Sequence, residues 1–167
     1  MPDPSLVVLI GAAGVGKSTF AARHFRADEI LSSDRYRAIV SGDEADQSAT
    51  RIAFKLLHRD LRARLAAGRL TVVDATNAEA SARRGLLAIA RTAGVPAVAI
   101  VLDLPVETVL ARNAARPRRV DEAVVRRHID RLRASLDGPA PRLLEEGFAA
   151  ITVLRDPAEV DRVTIRR

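Results

Sequence analysis

An α/β fold with a central parallel sheet is predicted for this 167-residue chain by three observations. Short, continuously apolar runs alternate with longer stretches of helical periodicity. The first run, Leu6-Val7-Val8-Leu9-Ile10, leads straight into Gly11-Ala12-Ala13-Gly14-Val15-Gly16-Lys17-Ser18, which fits the phosphate-binding pattern G-x-x-x-x-G-K-[ST]. Strands without alternating polar positions are buried on both faces, as in a parallel sheet with helices on either side.

The elements follow in order. Residues 6–10 read as a buried strand and Lys17 to Phe25 as the helix after the loop. Glu29-Ile30-Leu31 is a short segment leading into Ser32-Ser33-Asp34, and 41–49 a polar loop. Residues 50–67 predict an amphipathic helix, with Ile52, Leu56, Leu57, Leu61 and Leu65 on its apolar face and Gly68 as its stop. Leu70 to Val73 is a second buried strand, ending at Asp74. A helix over 79–93 is closed by Gly94, and Ala97 to Leu104 is a third buried strand. Pro105 opens a helix running toward Arg112, and 121–136 is a basic helix. Asp137-Gly138-Pro139 breaks the chain, Ala150 to Leu154 reads as a last core strand, and 157–162 as a short final helix. Length and the lack of an internal linker point to a single domain over 1–167.

Composition narrows the class. Cysteine is absent, which excludes disulfides and thiolate metal sites and agrees with a cytoplasmic protein. No run approaches membrane-spanning length, and the N-terminus does not resemble a signal peptide. Aromatics make up only 3%, which argues against a base-stacking platform. The net charge of +6 is concentrated: Arg112 to Arg133 holds eight arginines against Asp121, Glu122 and Asp130. That concentration suits a grip on a polyanion.

The glycine-rich loop points to a nucleoside triphosphate. Backbone N–H groups of Gly11, Gly14, Val15 and Gly16 would cradle phosphates at a helix N-terminus, together with those of Lys17, Ser18 and Thr19. Lys17 would reach the outer phosphates, and the Ser18 hydroxyl would hold Mg²⁺. Three further groups bear on the reaction. Asp34, after the second strand, could take the proton of an attacking hydroxyl, and Arg37 would share its face if the segment is helical. An Asp helix cap beside solvated arginines fits the same residues equally well. Asp74, Thr76 and Asn77 follow the strand beside the loop strand; Asp74 could order a metal-bound water or orient an arginine, and the other two could bind an acceptor. Otherwise they form a polar turn capping the next helix. Arg112, Arg116, Arg118 and Arg119 stand where a lid over the triphosphate is expected, spanning about 112–136, unless they form a plain solvated face. Arg126, Arg127, Arg131 and Arg133 are expected at the surface or in contact with a nucleic-acid strand, and His24, His58 and His128 in ordinary surface or packing roles.

Taken together, these residues resemble the 5′-OH polynucleotide kinase domain of the bacterial Pnkp end-healing and sealing proteins. The likeness runs from the phosphate loop to about residue 160. It rests on Gly11–Thr19, Ser32-Ser33-Asp34 with Arg37, the acidic loop Gly42-Asp43-Glu44-Ala45-Asp46-Gln47, Leu70 to Asn77, Arg112-Asn113 with Arg116 and Arg119, and Glu146-Gly147-Phe148. The resemblance implies a P-loop kinase fold with an Arg-rich helical lid. It implies transfer of the γ-phosphate of ATP or GTP to a 5′-OH end of RNA or DNA, with Mg²⁺, in nucleic-acid repair beside phosphatase and ligase modules. It makes Asp34 the general base, sets Arg37 on the acceptor's phosphate with Asp74 orienting it, and adds Gln47 to the acceptor groove. Lys17, Arg112, Arg116 and Arg119 fall on the donor. Pro117-Arg118 departs from the family pattern and leaves open which lid arginine meets which phosphate. A homo-oligomer is compatible with this reading. Two other readings fit the phosphate loop: a kinase of a small hydroxyl acceptor such as a sugar or antibiotic, and a nucleotide-dependent binding module. The first has no need of the basic stretch, and the second has no need of Asp34. A sequence-specific DNA-binding protein fits least, since nothing besides the basic helix suggests base reading.

Overall fold

The computed structural model describes residues 4–44, 46–137 and 142–166. Five strands form one parallel sheet: β1 (Leu6–Ile10), β2 (Ile30–Ser32), β3 (Thr71–Asp74), β4 (Ala97–Leu102) and β5 (Ala150–Leu154), in the order β2-β3-β1-β4-β5. Between them lie α1 (Lys17–His24), a 3₁₀ turn (Ala27–Glu29), α2 (Ser33–Ser41), α3 (Thr50–Ala66), α4 (Ala80–Thr92), α5 (Val106–Ala114), α6 (Glu122–Leu136) and α7 (Arg142–Glu146), with α8 (Pro157–Arg162) last.

The pleat of β1 divides the core into two layers. Leu6, Val8 and Ile10 face a cluster containing Leu57, Leu61 and Leu65 of α3 and Leu86, Leu87 and Ala90 of α4. Val7 and Leu9 face Phe20 and Ala21 of α1, Val109 of α5, and Val125 and Ile129 of α6. The apolar strands are therefore covered on both sides, which is why they needed no polar alternation. The helices after β1 and β3, neighbouring strands, go to opposite faces. This opens a crevice at the strands' carboxyl ends, where ligands of open α/β sheets bind.

Several expectations are corrected. The inward stripe of α3 is Ala53, Leu57, Leu61 and Leu65, and Ile52 is 52% exposed. The four-residue spacing selects the small Ala53 at the close approach and turns Ile52 about 100° away. β5 is an edge strand, paired only with β4, and Leu154 is its one buried residue. β4 ends at Leu102, although Leu104 is buried beyond it. Within the expected lid, α6 packs into the body by Val125, Ile129 and Leu132 and lines the crevice with Val124 and His128, beside the turn between α5 and α6. The expected break at Gly138-Pro139, and Ala45 of the acidic loop, lie outside the described residues. Among the described residues no helix is long and apolar enough to cross a membrane.

Candidate active site

The loop after β1 turns on two glycines that an L side chain would strain. Gly14 has φ 83° and Gly16 φ 108°. A Cβ at Gly14 would also come within 3.0 Å of Asn113 Cβ. The loop thus lies directly against the end of α5. Lys17 curls back over it, and its ammonium donates to the carbonyls of Gly11 (2.9 Å) and Ala12 (2.8 Å). Burial pushes the Lys17 ammonium down to about 8; Asp74 and Asp34 act to raise it, and Arg116 to lower it.

Asp34 lies in the first turn of α2. The cap is the preceding Ser32, whose hydroxyl accepts from the Arg35 N–H, so Asp34 keeps its carboxylate for other partners. One is Arg37, three residues on, as helical spacing allows; its Nη2 donates to Asp34 Oδ1. Arg37 is nearly buried and also donates to the Glu44 carbonyl at 2.8 Å. The Ser33 hydroxyl donates to the same Oδ1 at 3.4 Å, and Arg118 Nη1 stands 3.7 Å from Asp34 Oδ2.

Asp74 ends β3 beside the loop. Burial raises its carboxyl above the usual range, opposed by a hydrogen bond from Ser18 and the charge of Lys17, and reinforced by Asp34. Its partner is thus Ser18, where the expectation gave Arg37; Arg37 turns to Asp34 and Glu44 instead. Asn77 differs as well. It is buried, with φ 49°, and its side-chain amide donates to the Leu9 carbonyl at 2.8 Å, leaving Oδ1 without a partner. The Thr76 carbonyl accepts from Gly11 N–H at 3.1 Å. These two residues tie the end of β1 and the start of the phosphate loop to the turn after β3.

The arginine turn is anchored at both ends. Arg112 Nη1 donates to the Val15 carbonyl at 2.9 Å. Asn113 exchanges two hydrogen bonds with Val120, 2.7 and 3.1 Å, and so closes the segment carrying Arg116, Arg118 and Arg119. The guanidinium groups of Arg116 and Arg119 have no hydrogen-bond or ion-pair partner among the described residues. As expected, Arg126, Arg131 and Arg133 pair at the surface, with Glu122, Glu79 and Asp103.

The phosphate loop, the Asp34–Arg37 pair, Asp74 and the arginine turn face one open cavity of about 1140 Å³. Its lining brings together Gly14 to Thr19, Asp34, Arg37, Gln47, Asp74, Thr76, Asn77, Arg112, Arg116 and Arg119; Gly11 lies behind it. The lining also includes His128, whose imidazole is held below its usual pKa by burial, then by Lys17 and Arg131. His128 sits three residues after Val125 on α6, the one sign in the sequence that it would face inward. Arg83 was missed too. It is fully buried, and its guanidinium makes five hydrogen bonds: two to Glu146, two to the carbonyls of Asn77 and Ala78, and one to Ser135. Its position in register with Leu86, Leu87 and Ala90 was the available signal.

The sequence over residues 6–139 matches the AAA_33 family, described as an AAA domain. The chain belongs to this AAA domain family. No curated protein sequence matches it. Among solved structures this AAA domain is similar to a chain of the Pnkp1/Rnl/Hen1 RNA repair complex, at 22% identity and TM-score 0.69, over 80% of this chain and 45% of that one. A chain from a further structure of the Pnkp1/Rnl/Hen1 complex is 25% identical, with TM-score 0.59, over 72% and 42% of the two chains. A sugar kinase from Janibacter sp. HTCC2649 is 19% identical, with TM-score 0.60, over 94% and 90%. The chain spans less than half the length of the two Pnkp1/Rnl/Hen1 chains. The architecture these structures share, a parallel sheet flanked by helices, is that of P-loop kinases.

Proposed function

We propose that this AAA domain is a polynucleotide 5′-hydroxyl kinase, moving the γ-phosphate of ATP or GTP to a 5′-OH end of RNA or DNA. The observation that carries the reading is one cavity holding both Lys17 of the phosphate loop and the Asp34–Arg37 pair. Asp34 takes the proton of the 5′-hydroxyl as its oxygen bonds to the γ-phosphorus. The bond from that phosphorus to the β–γ bridging oxygen breaks, and the nucleoside diphosphate leaves. Arg37 positions Asp34 and offers its remaining donors to an acceptor phosphate, with Gln47 lining the same side. Lys17, Arg112, Arg116 and Arg119 neutralise charge on the transferring phosphoryl group.

Mg²⁺ suits the donor set here. A hydroxyl, Ser18, and a buried carboxylate, Asp74, already meet beside the loop, and Mg²⁺ takes one or two such oxygens along with phosphates. When bound, it would neutralise the phosphate oxygens.

The 25% likeness to a chain of the Pnkp1/Rnl/Hen1 complex supports the polynucleotide acceptor, and with it a place beside phosphatase and ligase modules of a repair system. So does the charge gathered in residues 112–133. The reading takes 1–167 as a single kinase domain acting in the cytoplasm. A sugar or another small hydroxyl acceptor would use Asp34 without needing Arg37.

The test is transfer of labelled γ-phosphate from ATP to a 5′-OH oligonucleotide, with sugars offered in parallel. Wild type should label the oligonucleotide. Asp34→Asn should bind ATP and lose about 10²–10⁴ in rate. Label on a sugar and none on the oligonucleotide would reject the polynucleotide reading.

A further inference from the structure

We propose that Arg118 couples the two halves of the cavity, resting on Asp34 Oδ2 until a bound triphosphate draws it onto the outermost phosphate and opens that oxygen to the acceptor hydroxyl. The proposal rests on Asp34 being the base, and it makes Arg118 a positioning residue for Asp34.

The two oxygens of Asp34 are held unequally. Oδ1 accepts from Arg37, which is nearly buried and fixed a second time by the Glu44 carbonyl. That contact belongs to α2 and stays. Oδ2 faces Arg118 across 3.7 Å, and both side chains are about one-third exposed (32% and 39%). Such a pair is weak, and a weak pair is readily exchanged. Arg118 comes from the arginine turn, which Asn113 closes onto Val120 and which Arg112 ties to the phosphate loop. Its backbone is therefore fixed beside the place where phosphates would lie, and only the side chain must swing. A polyphosphate offers several anionic oxygens against the single one on Asp34, so a guanidinium within reach of both goes to the phosphate. The carboxylate is then held at Oδ1 by Arg37 and the Ser33 hydroxyl, with Oδ2 free for a proton. Lys17 from α1, Asp74 from β3 and Arg112, Arg116 and Arg119 from α5 and the arginine turn are further charged groups around this site.

A double-mutant cycle on nucleotide binding tests the exchange without reference to the acceptor. The affinity for a non-hydrolysable ATP analogue with Mg²⁺ is measured for wild type, Asp34→Asn, Arg118→Gln and the double variant. Asp34→Asn releases Arg118 and should tighten binding several-fold. In the Arg118→Gln background the same change should tighten it clearly less. Arg118→Lys keeps the charge and should restore part of the difference, which a purely structural role would not do. Thermal melts identify any variant that fails to fold. An equal effect of Asp34→Asn in both backgrounds would overturn the coupling. That result would leave the polynucleotide reading intact, since label transfer decides it separately.

Discussion

Lys17 carries a cost at the residue scale that a bound phosphate would remove. Burial favours its neutral form and sets its pKa at about 8. The unfolded chain keeps an ordinary lysine near 10.5. Between those values the unfolded chain binds more protons, so the Lys17 contribution to folding stability improves as pH rises from about 8. Nucleotide binding has the opposite sign. Phosphates favour the charged ammonium, so binding above about pH 8 takes up a proton and weakens by up to about tenfold per pH unit. Calorimetry of an ATP analogue at pH 9, in two buffers of different ionisation enthalpy, should show that uptake; none would mean Lys17 does not meet the phosphates. Lys17 and Ser18 were legible because their motif is local. The contacts of Arg118 with Asp34, and of Asp74 with Ser18, were not, because each joins segments far apart in the chain.

At the scale of elements, Arg83 fastens α4 to α6, to α7 and to the turn after β3. Its five donors are all used, and its carboxylate partner Glu146 keeps some contact with water. Arg83→Met should therefore destabilise the fold by about 3 kcal/mol, the lower end for breaking a buried pair. Urea unfolding measures this, and a loss under 1 kcal/mol would show that the guanidinium is not structurally needed. Periodicity gave α1, α3, α4, α5, α6 and α8 to within a few residues, left α2 conditional and did not mark the five-residue α7. Which face turned inward was harder wherever a small or charged residue took the inward place, as Ala53 and Arg83 do. Apolar periodicity gives weight to large side chains, while packing selects whatever fits the local gap.

For the whole molecule, the parallel sheet and its double cover were legible in the strands' composition, and the edge position of β5 was not. Edge or centre depends on strand order, which no local pattern encodes. The charge distribution makes a test at this scale. A single-stranded acceptor should bind with a log affinity that falls against log salt by about 0.7 for each phosphate neutralised. A neutral sugar should give a slope near zero. Measuring acceptor binding from low to high salt separates the two, and a flat line for an oligonucleotide would count against the polynucleotide reading. The place of β2 at the other edge bears on where the chain tolerates change. It is three residues long, pairs on one side only, and carries Asp34 on the helix that follows it. The phosphate loop instead stands at the sheet's centre, between strands paired on both sides. Among the described residues of 30–66, the polar stretch 42–48 is free of the core, so a change of length there would disturb the phosphate loop least, whereas α3 holds β1 through Leu57, Leu61 and Leu65. A change of length at that rim would therefore alter the wall of the cavity beside Asp34 and Gln47 and leave the sheet that carries the phosphate loop as it is.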